Sequence, residues 1–288
     1  MSRDLWQLEG PHAAGRQIGE GQAVGVFVET ASSSLVQPEL MMFPVKAVNE
    51  YPLSRQTADA LGEVEAEDGL FYHVKGDRPG HFICASEWIC TNVAEEVGIG
   101  APPRALIEML DGRLVFGSRR ISGVADEATT TLFLTTPSHE GTQPASTGLR
   151  RLLSRIYAFD LFINNVDRHF GNYLSVEEFS VRRLYAMDNS RALFFGWPID
   201  GFPQPHEHTR VRGLYLRQLH GFDEAAALSV IEKLRRLAPT VIEGFIKRMP
   251  PSWLPPELRR ELMDWWSNGG RIGRLIELDA GLRDGRLL

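Results

Sequence analysis

Three polar residues in the second half of the chain have side chains that could act together. Asp167 and Asn172 are five positions apart in the segment NVDRHFGN, and Asp188 follows in the segment AMDN. The set suits phosphoryl transfer, because one carboxylate can orient an attacking hydroxyl while an amide oxygen and a second carboxylate bind Mg²⁺ that bridges phosphates. An Asp and an Asn at this spacing also recur by chance in loops, where both residues bond to their own backbone. The interpretation therefore depends on what precedes them.

A lysine and a glutamate upstream are consistent with the same chemistry. Lys75 ends the segment LFYHVK, which alternates like a strand, and Glu87 lies in the first turn of the helix predicted to follow. A strand-borne ammonium can contact the phosphates of a nucleotide, and a helix glutamate can hold that ammonium in place. The alternatives are a solvated lysine at a strand edge and a glutamate favoured by the helix dipole. The order of these groups along the chain is the order found in protein kinases.

The histidines near these residues leave alternatives open. His169, two positions after Asp167, could shuttle a proton or steady a phosphate, because imidazole titrates near neutrality. It could equally be a hydrogen-bond donor that pins the loop. Arg168 is expected to brace the loop against a carboxylate or a phosphate. The string His206-Glu207-His208 resembles a metal-binding segment, but the sequence offers no third ligand.

Composition excludes several classes of protein. The 288 residues include 31 Lys and Arg against 37 Asp and Glu, a net charge of −6, so we expect no direct nucleic-acid binding. With 43% hydrophobic and 24% charged residues, the chain has the composition of a folded globular protein. It shows no apolar run of about 18 residues and no leader sequence, which predicts a cytoplasmic protein without a membrane partner. Cys84 and Cys90 lie six positions apart in a predicted helix, and its rotation separates them, so we expect no disulfide.

The elements that must position the candidate residues form three predicted parts. Residues 1–43 read as an N-terminal extension. Residues 44–122 alternate in short segments with turn signals at Asp68-Gly69 and Asp111-Gly112, which predicts a small antiparallel sheet carrying one helix, a helix that we expect to begin after Ser86. Residues 123–288 are predicted to be mainly helical.

Within this last part the local patterns differ. The Thr, Ser and Pro-rich run DEATTTLFLTTPSHEGTQPASTG is typical of a linker or surface loop, and residues 149–164 predict a helix buried in a core. Residues 173–195 predict a β-hairpin followed by a loop, and amphipathic helices are predicted from about Phe222 onward.

Several of these strings resemble those of a known family. VKGD, FGSR, FINNVDRHFGNYLS and AMDNSRALF are similar to segments of the HipA-like kinases, bacterial serine/threonine kinases best known from toxin–antitoxin modules, over about residues 44–195. DRHFGN also resembles the DRHxxN of phosphatidylinositol 3- and 4-kinases. The resemblance implies a two-lobed α+β protein-kinase-like fold, with an ATP-binding lobe at residues 44–122 and a helical lobe at residues 123–288.

The resemblance also implies roles for individual residues, with ATP and Mg²⁺ as cofactors. Lys75 would contact the phosphates, Asp167 would be the catalytic base, and Asn172 and Asp188 would be metal ligands. The loop expected to cover the phosphates, YPLSRQTADA, contains no glycine, so backbone amides and the hydroxyls of Ser54 and Thr57 would act instead. Ser54 is also the nearest candidate for the autophosphorylated serine that members of the family carry.

The implied reaction is transfer of the γ-phosphoryl group to a Ser or Thr hydroxyl of a protein in a bacterial toxin–antitoxin or phage-defence setting. A translation factor or an aminoacyl-tRNA synthetase is a candidate substrate, and an antitoxin is a candidate partner. Two alternatives stay open: a lipid or small-molecule kinase, suggested by the DRH string, and a pseudokinase that binds nucleotide without turnover, suggested by the glycine-free loop.

Overall fold

The structure is a computed structural model that describes residues 43–52, 59–137, 144–178 and 181–288. Ser54 and the loop around it lie outside the described residues. So does the predicted N-terminal extension, apart from Phe43.

The first described part is a small closed barrel with strand order β1-β2-β3-β5-β4. Its strands are β1 (Val45–Pro52), β2 (Ala60–Ala66), β3 (Phe71–Lys75), β4 (Arg104–Glu108) and β5 (Leu114–Arg119). The two predicted tight turns are present, with Gly69 and Gly112 at φ of 75° and 80°, a conformation that costs glycine little.

The sheet is antiparallel at all but one of its described pairings, as predicted from sequence. The exception closes the barrel: β1 pairs in parallel with β4, with Val45 beside Ile107. Alternation within a strand predicts which side chains face inward, and Val64, Val74 and Ile107 are indeed buried. It does not predict which strands become neighbours.

A single helix, α1 (Ile83–Glu96), connects β3 to β4. It begins at Ile83, four residues before the predicted first residue Glu87. The carboxylate of Asp77, outside the helix, accepts the N–H of Cys84 at 2.8 Å and so caps this earlier N-terminus. Every residue from Ile83 to Ala94 is buried. Cys84 and Cys90 are free, buried thiols.

The second part is mainly helical. Its described helices are α2 (Glu127–Thr135), α3 (Pro144–Phe162), α4 (His208–His220), α5 (Glu224–Arg236), α6 (Pro239–Lys247), α7 (Pro256–Ser267) and α8 (Gly270–Arg283). A hairpin of β6 (Tyr173–Glu178) and β7 (Val181–Ala186) follows α3, as predicted. The helix α3 packs against α4, α5 and α8, which makes it the centre of the larger core. None of the helices in the described ranges is long and apolar enough to cross a membrane.

Two helices lie where the sequence predicted none. The Thr-rich run predicted as a linker contains α2, which is capped by Asp126 and buries Thr130, whose hydroxyl lies 2.9 Å from that of Ser175. Because Thr has weak helix propensity, a sequence pattern rich in Thr does not predict a helix that is stabilised by packing. The helix α4 was also missed, and α3 begins at Pro144 rather than at the predicted Leu149.

Candidate active site

Lys75, at the end of β3, lies between two carboxylates. Its Nζ is 2.6 Å from Oε1 of Glu87 on α1 and 2.6 Å from Oδ1 of Asp188, which follows β7. Lys75 is 14% exposed and Glu87 only 2%. The structure therefore brings together three of the residues selected from sequence, although they come from three separate elements.

Local backbone structure explains how Asp188 reaches the lysine. Asp188 adopts a left-handed conformation with φ of 64°, which Asp tolerates better than most residues. Its Oδ1 accepts hydrogen bonds from the hydroxyl of Ser190 at 2.7 Å and from the Ser190 backbone N–H at 3.2 Å. This Asx-type turn holds the carboxylate in place as the chain leaves β7.

The charges in this cluster do not cancel. Burial by itself would lower the pKa of Lys75, but the attraction of Glu87 and Asp188 raises it to about 12. Burial raises the pKa of Glu87 in spite of the adjacent ammonium, whereas for Asp188 the ammonium outweighs burial and lowers the pKa. Two carboxylates thus share one ammonium, which leaves a surplus of negative charge suited to a cation.

Asp167 lies in the loop after α3, and its backbone is held on both sides. The side-chain oxygen of Asn165 accepts its N–H at 3.1 Å, and Nδ2 of Asn172 donates to its carbonyl at 2.8 Å. Asn172 is buried, while the Asp167 side chain remains 39% exposed. The five-residue spacing of Asp167 and Asn172 therefore corresponds to a direct contact across the loop.

Arg168 braces this loop against a carboxylate, one of the two alternatives that the sequence left open. It is buried and donates to both oxygens of Asp160 on α3, at 2.9 Å from Nε and 2.8 Å from Nη2. It also donates to the carbonyls of Asn172 and Met187. Burial would lower the pKa of Arg168, but Asp160 raises it.

Asp160 was not selected from the sequence, although a signal was present. It is a lone acid within the apolar segment AFDLF, and a carboxylate on the buried face of a helix requires a cationic or hydrogen-bonding partner. Asn189 was missed as well. Its N–H donates to Oε1 of Glu87 at 3.0 Å, and its side-chain oxygen accepts from Arg168 at 3.2 Å. Asn189 thus connects the Lys75 cluster to the loop that carries Asp167.

The structure places His169 in a supporting position. Its Nδ1 accepts the N–H of Gly171 at 3.1 Å and so caps the short turn Phe170–Asn172. The ring therefore pins the loop as an acceptor at this nitrogen, rather than as the donor that the sequence analysis considered.

A different histidine contacts Asp167. Nδ1 of His208, the first residue of α4, lies 2.6 Å from Oδ1 of Asp167. Sequence reasoning considered His208 only as part of a metal-binding string. In the part of the chain that the structure describes, no cluster of three or more His, Cys, Asp and Glu side chains could hold a metal ion.

The chemistry of the remaining donor atoms fits Mg²⁺. Asn172 uses its amide nitrogen for the Asp167 carbonyl, which leaves its oxygen for a cation, and Asp188 uses Oδ1 for Lys75 and Ser190, which leaves Oδ2. Mg²⁺ prefers such oxygens and commonly takes one or two protein ligands together with substrate phosphates.

A small β-rich part with one helix, a helical part and a lysine–carboxylate cluster between them define a two-lobed protein-kinase-like fold. Residues 63–193 match the model of a family described as HipA-like kinase. The match covers a little less than half of the chain and supports a kinase of the HipA-like type. No curated protein matches it in sequence.

Solved structures resemble this chain in fold at low sequence identity. HipA of Shewanella oneidensis MR-1, solved with HipB and operator DNA, is 12% identical with a TM-score of 0.51, over 86% of this chain and 76% of that chain. The proinflammatory kinase CtkA of Helicobacter pylori is 12% identical over 81% and 97%, with a TM-score of 0.42. WaaP, solved with acyl carrier protein, is 15% identical over 75% and 89%, with a TM-score of 0.38. At these identities the likeness to HipA concerns the fold alone.

Proposed function

We propose that this kinase uses ATP and Mg²⁺ to phosphorylate a Ser or Thr hydroxyl of a protein. One observation carries the proposal: Nζ of Lys75 lies 2.6 Å from the carboxylates of both Glu87 and Asp188. A lysine held in this way is oriented for nucleotide phosphates, and the second carboxylate next to it suits the accompanying cation.

In the proposed complex, Lys75 contacts the α- and β-phosphates and Glu87 keeps its ammonium in place. Asn172 and Asp188 would hold Mg²⁺, which would supply positive charge to neutralise the phosphate oxygens. The adenine lies beside β5 and the segment after it. Ser54, which lies outside the described residues, is proposed as a hydroxyl donor to the phosphates. We propose residues 44–122 and 123–288 as the two lobes.

Asp167 orients the acceptor hydroxyl and accepts its proton. The hydroxyl oxygen forms a bond to the γ-phosphorus while the bond from that phosphorus to the β,γ-bridging oxygen breaks, and ADP leaves with the bond's electron pair. The exposure of the Asp167 side chain supports this role, because an acceptor from solution can reach it. Positioning and electrostatic stabilisation account for most of the rate enhancement in such reactions.

We propose a bacterial toxin–antitoxin or phage-defence setting, in the cytoplasm, with a protein as acceptor. The HipA of similar fold was solved with HipB and operator DNA, which supports the search for a protein partner of antitoxin type. A translation factor or an aminoacyl-tRNA synthetase is the acceptor to test first. The net charge of −6 supports a protein rather than a nucleic acid as the direct partner.

The test is transfer from γ-labelled ATP with Mg²⁺, using the purified protein alone and in a bacterial lysate, with Asp188→Ala as the matched variant. A labelled protein band whose label sits on Ser or Thr, and which the variant loses, supports the proposal. If the label appears in a lipid or a small molecule instead, the acceptor is that molecule and not a protein. Mg²⁺-dependent ATP binding without any transfer would indicate a pseudokinase, and the absence of ATP binding would overturn the kinase mechanism.

A further inference from the structure

The carboxylate of Asp167 has one hydrogen-bond partner among the described residues, and that partner is His208. Nδ1 of His208 lies 2.6 Å from Oδ1 of Asp167, although the two residues are 41 positions apart. The other bonds of Asp167 involve its backbone, through Asn165 and Asn172. The loop therefore holds the main chain of Asp167, and within the described ranges it is His208 that holds its side chain.

The beginning of α4 is docked onto the loop on both sides of Asp167. The hydroxyl of Thr209 donates to the carbonyl of Asn165 at 2.5 Å and accepts the N–H of Arg168 at 3.0 Å. Thr209 is buried. These bonds fix the distance between the first turn of α4 and the loop, so the position of His208 is set by the fold rather than by a chance surface contact.

The geometry also specifies the direction of the hydrogen bond. A carboxylate can only accept, so Nδ1 of His208 carries the proton and donates it to Oδ1. The imidazole packs edge-on against His169, with ring centroids 6.0 Å apart and planes at 88°. Since His169 is itself bonded to the loop through Gly171, this contact limits the rotation of the His208 ring.

We propose that His208 is a positioning residue for the phosphoryl transfer, an inference that rests on the proposed function. By binding Oδ1, it turns the Asp167 carboxylate so that Oδ2 is presented to the acceptor hydroxyl. The Asp167 side chain is 39% exposed and would otherwise rotate among several conformers. Restricting it to the productive one increases the fraction of encounters in which the hydroxyl is correctly aligned.

The test compares His208→Ala with His208→Asn. The amide nitrogen of Asn can occupy the place of Nδ1 and donate the same hydrogen bond, whereas Ala cannot. We measure kcat and the KM for ATP from the Mg²⁺-dependent formation of ADP, and label transfer from γ-labelled ATP to the acceptor band. His206→Asn is the matched control, because His206 is exposed two positions earlier in the same segment.

We expect His208→Ala to lower kcat by about 10- to 100-fold, the loss typical of a misplaced catalytic group. The KM for ATP should stay near that of the wild type, because Lys75 and Asp188 hold the nucleotide. His208→Asn should recover most of kcat, and His206→Asn should match the wild type. Melting temperatures should agree among all four proteins, because His208 is 56% exposed.

Several results would overturn the inference. If His208→Ala keeps the wild-type kcat, Asp167 does not need the hydrogen bond. If His208→Asn is as slow as His208→Ala, the donor at the Nδ1 position is not what matters. If His208→Ala raises the KM for ATP while kcat stays at the wild-type value, His208 acts on nucleotide binding instead. A wild-type protein that transfers no phosphate, or an Asp167→Ala variant that transfers it normally, would instead overturn the proposed function, and the inference with it.

Discussion

Arg168 and Asp160 are joined by two hydrogen bonds that fasten the loop of Asp167 to the central helix α3. Nε of Arg168 lies 2.9 Å from Oδ2 of Asp160, and Nη2 lies 2.8 Å from Oδ1. Both side chains are buried. The planar guanidinium matches the carboxylate through both oxygens, so the pair sets the orientation of the loop as well as its distance from the helix.

This pair predicts a loss of stability in Asp160→Asn. The substitution keeps the size of the side chain but leaves the buried Arg168 charge uncompensated, which we expect to cost about 3–5 kcal/mol of unfolding free energy. Urea denaturation measures the effect. Glu243→Gln is the control, because Glu243 pairs with Lys247 on an exposed face of α6. Equal midpoints for the two variants would show that Arg168 finds another partner.

Asp167→Ala should separate activity from stability. A general base contributes about 10²–10⁴-fold to rate, and we expect a loss of phosphoryl transfer in this range. The unfolding free energy should change by no more than about 0.5 kcal/mol, because the side chain is partly exposed and contributes little packing. Asp264→Ala, an exposed position on α7, should alter neither quantity. If Asp167→Ala transfers phosphate at the wild-type rate, the general base is a residue other than Asp167.

Lys75→Met should make stability depend on pH in a defined direction. The pKa of Glu87 is raised by burial even with Lys75 present, and loss of the ammonium raises it further. A carboxyl whose pKa is higher in the folded than in the unfolded state takes up a proton on folding, so the variant should gain stability relative to the wild type as pH falls from about 8 to about 5.

Melting temperatures across this pH range test the prediction. Lys46→Met, an exposed lysine on β1, is the control and should show a difference from the wild type that does not vary with pH. A constant difference for Lys75→Met as well would mean that Glu87 is solvated once the lysine is removed.

Gly213→Ala should affect both the packing of α4 and the activity. An added Cβ at Gly213 would overlap Cε2 of Tyr157 on α3. That ring is held by its hydroxyl, which donates to the carbonyl of Leu287 at 2.6 Å. Overpacking of this kind costs about 1–3 kcal/mol. Because α4 carries His208, its displacement from α3 should also lower kcat.

The matched control is Gly273→Ala on α8, where an added Cβ would meet no atom within 4 Å. There alanine should stabilise the helix by about 0.5–1 kcal/mol, since glycine is the poorer helix former. Thermal unfolding and the steady-state rate of ADP formation distinguish the two variants. A Gly213→Ala protein that is more stable than the wild type would show that α4 can shift without cost.

The parts of the fold that sequence predicted well are those specified by local pattern. Alternation and the turns at Gly69 and Gly112 predicted the strands and hairpins, because strand period and turn conformation depend on a few neighbouring residues. The helix α2 was missed because Thr-rich segments have weak helix propensity. The helix α2 is instead held by tertiary contacts with the turn Phe170–Asn172, with α4 and with β6, where the hydroxyls of Thr130 and Ser175 meet.

In the candidate site, too, some features follow from the sequence and others depend on tertiary contacts. The types and order of Lys75, Asp167, Asn172 and Asp188 were visible in the sequence, because their chemistry belongs to the side chains themselves. The partners that hold this group could not be identified in the same way. His208 lies 41 positions from Asp167, and nothing in the string HEH indicates which carboxylate it would meet.

The sequence by itself thus determined the chemical groups, their order and most of the strands and helices that carry them. The tertiary structure decided that β1 pairs with β4, that Asp160 receives Arg168 and that His208 holds the carboxylate of Asp167. These contacts join residues far apart in the chain. They form only when α3, α4 and the barrel pack together. The hydrophobic burial that drives this packing involves residues throughout the core, so no local sequence pattern predicts these contacts.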